Sequence, residues 1–156
     1  MDQRQLPVDF KDFLKLLNEN DVEYLLVGGW AVGFYGYSRF TADIDIFIGI
    51  SPKNIVSMKK ALLQFGVPDF DSIMLTTSGH VFRIGRTPLL IEVINSIDDV
   101  AFVDGFKNRE YIEIENELKV PIISLEDLIK NKSATGRLKD KLDLEFLLEI
   151  KKNLKK

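Results

Sequence analysis

Short apolar runs set between helical hydrophobic repeats predict an α+β (α/β) chain: a mixed β-sheet flanked by helices, with a helical C-terminus. Three observations carry this. Tyr24-Leu25-Leu26-Val27 is an apolar run that stops at Gly28-Gly29, as a buried strand does when it enters a tight turn. Phe10, Phe13, Leu14, Leu16 and Leu17 recur at helical spacing. Ser124 with Asp127 three residues on resembles a capping box, Asp standing in for the usual Glu or Gln, and so opens a helical C-terminal stretch.

In order, residues 9–20 read as an amphipathic helix and 24–27 as the buried strand. Residues 30–36 read as a short helix in which Trp30, Phe34 and Tyr37 share a face. Ile44-Asp45-Ile46-Phe47-Ile48 reads as a second strand. Ser51-Pro52 starts a helix with a cap followed by proline at the first helical position, and Gly66 and Pro68 stop it after Phe65. Residues 72–77, 80–84 and 88–95 read as three strands, the first two turning at Ser78-Gly79. Residues 110–114 and 117–121 read as a hairpin joined at Glu115-Asn116. Helices then fill 125–134 and, after a break near Gly136, 137–152. No repeat, low-complexity tract or linker interrupts the chain, so a single domain over 1–156 is expected.

Composition narrows the chemistry. Hydrophobic residues make up 46% and charged residues 29% of the 156, an ordinary globular balance. There is no cysteine, which excludes thiolate metal sites and cysteine nucleophiles, and His80 alone excludes histidine-rich zinc chemistry. Any metal would be oxygen-bound. His80 reads as structural, near a turn. Met1 to Asp9 has no apolar run of a secretory signal and no stretch is long enough for a membrane span, so a cytoplasmic protein is expected. The net charge of −3 gives no general reason to bind nucleic acid. Its distribution says more: between Leu128 and Leu142, Lys130, Lys132, Arg137, Lys139 and Lys141 face only Asp140. A basic stretch apart from an acidic cluster suits a site for metal and polyphosphate, although solvated helix faces give the same statistics.

The acidic cluster is Asp43 and Asp45. Two residues apart in a strand, they project from one face. Two ionised carboxylates side by side repel, and burying them beside a sheet is costly unless a cation joins them. Magnesium takes one or two carboxylates together with substrate phosphates. A solvent-facing pair has the same spacing. Gly28-Gly29 lies between an apolar strand and a short helix, where the backbone can approach an anion and the helix start offers free amides. Glu92 stands alone inside Leu89-Leu90-Ile91-Glu92-Val93-Ile94. A glutamate in such a run needs a partner or an edge position facing water.

The order apolar strand, Gly-Gly, helix, acid-hydrophobic-acid, later acid in a strand resembles the nucleotidyltransferases of the DNA polymerase beta superfamily. The resembling residues are Leu26-Val27-Gly28-Gly29-Trp30-Ala31-Val32, then Asp43-Ile44-Asp45-Ile46 and Glu92. Pro121 to Ile129, Lys132 and Gly136 to Asp143 resemble the small prokaryotic members related to abortive-infection and toxin–antitoxin toxins. The third acid is Glu, where that subgroup more usually has Asp.

The resemblance implies a nucleotidyltransferase fold and a metal-dependent enzyme moving a nucleotidyl group from a nucleoside triphosphate such as ATP to a hydroxyl of RNA, a protein or a small molecule. It implies that Asp43, Asp45 and Glu92 are catalytic and hold Mg2+ or Mn2+. Gly28 and Gly29 would contact phosphates, Arg39 would neutralise one, and Thr41 would support the loop. Lys132 and Lys139 would bind phosphate or nucleotide. Dull readings stand beside these: a surface arginine for Arg39, and an i,i+4 ion pair for Lys139 with Asp143. Asp140 would orient a lysine or cap a helix. A partner-dependent, antitoxin-like regulatory protein that keeps the fold without turnover is the alternative function.

Overall fold

The computed structural model describes residues 6–37, 43–86, 88–115 and 118–154. Among them are six strands and seven helices. The helices are α1 (Val8–Glu19), α2 (Gly28–Phe34), α3 (Pro52–Phe65), α4 (Ile73–Thr76), α5 (Phe102–Lys107), α6 (Leu125–Ala134) and α7 (Leu138–Leu154). The strands are β1 (Tyr24–Val27), β2 (Ile44–Ile48), β3 (Val81–Ile84), β4 (Ile91–Ile94), β5 (Glu110–Ile114) and β6 (Leu118–Ile122). They form one mixed sheet in the order β3-β4-β2-β1-β6-β5. β2 runs parallel to β4 and β1 parallel to β6; the other neighbours are antiparallel.

The helices form where sequence and burial agree. α1 buries Phe10, Phe13, Leu14 and Leu17, one stripe at helical spacing. α3 opens with Ser51, whose hydroxyl accepts from the Asn54 amide at 3.2 Å, and closes at Gly66 with φ +106°, a left-handed cap that favours glycine. α1 and α3 pack together, Phe13 meeting Phe65 edge-on at 5.1 Å. In the sheet Ile44, Ile46 and Ile48 are fully buried, while the alternate positions Asp45 and Phe47 point to the opposite face. Trp30 belongs to the core, edge-on to Phe10 at 6.4 Å. Asn54 is buried but satisfied, bonding the backbone of Glu23 and Gly49.

Three expectations change. Residues 72–77 are not a strand: α4 occupies Ile73–Thr76, and the partner of β3 is β4. Side-chain bonds to the backbone override the β-branched composition. The Asp71 carboxylate accepts from Ile73 N at 3.0 Å, and the Asn95 amide donates to the Leu75 and Thr77 carbonyls at 2.8 Å each, fastening the turn from the far end of β4. Only Leu75 of this helix is buried, so there is no sheet face for a strand to cover. α2 begins two residues earlier than expected and takes both glycines into its first turn. α5, unassigned from the sequence, is a short helix with Gly105 in the middle. Gly105 lets it approach β1: a Cβ there would sit 3.3 Å from Leu25 Cδ1. In the β5–β6 hairpin, Asn116 of the expected turn lies outside the described residues.

Candidate active site

One cleft of about 380 Å3 joins the ends of these elements. It is lined by Val27, Gly28 and Gly29 at the end of β1 and start of α2, by the acids Asp43, Asp45 and Glu92, and by Lys132, Thr135, Arg137 and Lys139 around the α6–α7 junction. The sheet brings the acids there. Asp45 is the register partner of Val27 on β1 and of Glu92 on β4, so adjacent strands carry the two carboxylates side by side on one face. Asp43 immediately precedes β2 on the same face as Asp45.

Gly28 permits the closeness of this arrangement. Its φ is +69°, and a Cβ there would overlap the Asp45 carboxylate. Asp45 carries the electrostatic cost. Burial, then the charge of Glu92, then that of Asp43 push its carboxyl up to about 6, against a smaller opposing pull from Lys139 and Lys132. A set of oxygen donors that repel one another in a partly buried cleft fits a hard divalent cation, which would hold them in their ionised forms. Among the described residues, however, no three acids or histidines already stand as a metal-holding group. Glu92 is drawn toward Arg83 on β3, whose Nε lies 3.3 Å from Glu92 Oε2.

The cationic wall is built differently from the expectation of a free ammonium at Lys132. Lys132 is buried, its Nζ 2.7 Å from Asp140 Oδ1 and 3.3 Å from Asp143 Oδ2. Asp140 also accepts from Thr135 at 2.8 Å and from Arg137 Nε at 2.7 Å. Burial would raise the Asp140 carboxyl, but these bonds outweigh it and hold it at about 2. The cluster fastens α6 to α7 across the break at Gly136 and presents Lys132 as a fixed positive charge. Asp143, which the dull reading paired along the helix with Lys139, lies within ion-pair distance of Lys132. Lys139 lies exposed at the cleft. Arg39 and Thr41 lie outside the described residues. His80 is exposed, its amide bonded to the Thr77 carbonyl.

Sequence reasoning missed Arg83, Asp98, Asn131 and the site role of Arg137. Asn131 donates to the Asp98 carbonyl at 3.0 Å, tying α6 to the loop that follows β4 at the rim of the cleft. Its place next to Lys132 is the only hint of this in the chain. Arg83 gave none, because a cross-strand partner is visible only once the register is known.

Residues 5–151 match the family described as nucleotidyltransferase of unknown function, DUF6036. The chain belongs to this nucleotidyltransferase family. No curated protein matches it in sequence. Among solved structures, the lincosamide antibiotic adenylyltransferase LnuA, with lincomycin bound, is similar with a TM-score of 0.60, 18% identity and coverage of 95% of this chain and 99% of that one. A protein from Thermotoga maritima assigned as a nucleotidyltransferase gives 0.59 at 18% identity, covering 90% of each chain. ANT(2")-Ia in complex with adenylyl-2"-tobramycin gives 0.54 at 14%, covering 88% and 84%. These likenesses establish the nucleotidyltransferase fold, and the family match establishes the enzyme as a nucleotidyltransferase. Among the described residues no helix is long and apolar enough to cross a membrane.

Proposed function

We propose that this chain, as one domain over residues 1–156, is a Mg2+- or Mn2+-dependent enzyme that moves a nucleotidyl group from a nucleoside triphosphate to the hydroxyl of a small molecule. The observation that carries this is the pairing of Asp45 with Glu92 on parallel strands, in a cleft also lined by Gly28-Gly29 and by Lys132, Arg137 and Lys139. Asp43, Asp45 and Glu92 would hold the cation. When bound, it supplies Lewis acidity at the phosphates and offsets charge on the leaving pyrophosphate. Gly28, lacking a side chain, leaves room for the Asp45 carboxylate against the backbone, and Gly28-Gly29 lines the cleft that would take the phosphates. Lys139, exposed at the cleft, contacts the triphosphate, while Lys132 contributes a charge held in place by Asp140 and Asp143. The acceptor oxygen attacks the α-phosphorus, pyrophosphate departs, and Glu92 takes the hydroxyl proton.

The small-molecule acceptor is supported by two of the similar structures, a lincosamide adenylyltransferase and an enzyme with an adenylylated tobramycin. One observation favours a second reading, a partner-dependent or toxin-like protein that is idle alone: Glu92 is engaged by Arg83, and among the described residues no three acids or histidines stand as a metal-holding group. Incubating the isolated protein with each labelled triphosphate, Mg2+ or Mn2+, and panels of hydroxyl compounds, transfer RNA and cell extract separates these readings. Label on a small hydroxyl compound, lost in Asp45→Asn, supports the first. Label appearing only on RNA or protein, or only when extract supplies a partner such as an antitoxin-like protein, supports the second. Label insensitive to Asp45→Asn refutes the site.

A further inference from the structure

Register places three charged side chains in one row across the sheet. Asp45 on β2 is partnered with Glu92 on β4, and Glu92 with Arg83 on β3. Partners in register share a face, so the row reads carboxylate, carboxylate, guanidinium. Val81, two residues before Arg83 and therefore on its face, lines the cleft together with Glu92. Arg83 thus stands at the rim, just beyond the third acid. Its Nε is 3.3 Å from Glu92 Oε2, with the arginine side chain 60% exposed and the glutamate 21%. In this arrangement the acids do not form a metal-holding group.

We propose that Arg83 is a positioning residue acting through Glu92: a cross-strand latch that holds the third carboxylate away from the cation site until the cation draws it back. The inference rests on the metal reading given above. In the free protein the latch has a physical purpose. Asp45 already bears the repulsion of two neighbouring carboxylates, and the guanidinium holds the Glu92 carboxylate with an opposite charge, which Arg keeps at any working pH. An ion pair this exposed is weak, so a divalent charge one strand away can displace it. Once released, the guanidinium stays at the rim with its donors unused, beside the carboxylate that has turned inward.

The test is Mn2+ binding without nucleotide, followed by titration calorimetry, in the wild-type protein, Arg83→Gln, Glu92→Gln, the double variant and Asp45→Asn. Arg83→Gln should tighten Mn2+ binding by about twofold to fivefold, the strength of an exposed ion pair. Glu92→Gln in the double variant should erase that gain, because the gain comes from a freed Glu92. A gain that persists in the double variant means that Arg83 merely repels the cation, and overturns the latch. Equal or weaker binding in Arg83→Gln also overturns it. If Asp45→Asn abolishes binding while Arg83→Gln matches wild type, the latch fails and the metal site stands. If Asp45→Asn binds as wild type does, or no variant binds at all, the metal reading fails and the latch falls with it.

Discussion

Replacing Asp45 by Asn should make the metal-free protein more stable. Folding lifts this carboxyl from 3.8 to about 6, roughly two pH units, and each unit corresponds to about 1.4 kcal/mol. Above pH 6 the group is ionised in both the folded and unfolded chains, and the folded state bears the whole penalty, about 3 kcal/mol. Below pH 4 it is neutral in both, and the penalty vanishes. Stability of the wild type therefore rises as pH falls from about 6 toward 4 at this position. Asn keeps the shape without ionising. Allowing for partial exposure and for the amide that must now be accommodated, Asp45→Asn should gain about 1–3 kcal/mol at pH 8, or roughly 3–10 °C in Tm for a chain of this size. Thermal melts in chelator at pH 8 and pH 4.5 measure it, and the advantage should shrink at the lower pH. Adding Mg2+ or Mn2+ at pH 8 should raise the wild-type Tm by mass action and leave the variant unchanged. A variant that melts below wild type in chelator at pH 8, or one with the same offset at both pH values, would refute the account of a repelling carboxylate cluster.

Lys132→Met should destabilise by about 3 kcal/mol, the lower end for breaking a buried ion pair because Thr135 and Arg137 still serve Asp140; urea unfolding would show it, and a loss under about 1 kcal/mol would mean that the cluster does not fasten α6 to α7. Asp140, held near 2 against 3.8 unfolded, contributes stability that is complete above pH 4 and disappears as pH falls toward 2. Acid titration of the fold in Asp140→Asn should lack that slope. Gly28→Ala puts a Cβ at φ +69° and into the Asp45 carboxylate, costing about 1–2 kcal/mol in backbone strain alone and at least tenfold in triphosphate affinity by equilibrium binding. Lys139→Ala should weaken triphosphate binding several-fold, leave nucleoside binding unchanged and barely move the Tm, since the side chain is exposed; an equal loss for both ligands would assign it to base recognition instead.

The chain alone specifies the elements whose cause is local. The α1 stripe of Phe10, Phe13, Leu14 and Leu17 needs only the 3.6-residue period. Ser51-Pro52 and Ser124 announce helix starts because a cap is a bond between near neighbours. Asp43-Ile44-Asp45 states its own alternation, and together with Gly28-Gly29 and Glu92 it points to one class of chemistry before any contact is known. What failed was composition without context. Ser72 to Thr77 is rich in strand-forming residues, yet Ile73–Thr76 is helical, with Asp71 bonding its start and Asn95, eighteen or more residues away, bonding the Leu75 and Thr77 carbonyls.

Tertiary structure alone decided who faces whom. Lys132 looks like a free cation in a basic stretch, and only the return of α7 across the Gly136 break buries it against Asp140 and Asp143. Glu92 reads as a lone acid in an apolar run, and only the β2–β4–β3 register sets it between Asp45 and Arg83. The physical reason is range. Capping, helical periodicity and strand alternation act over a few residues and are written in the chain, whereas charge pairing depends on distances between strands and helices that the packed core alone sets.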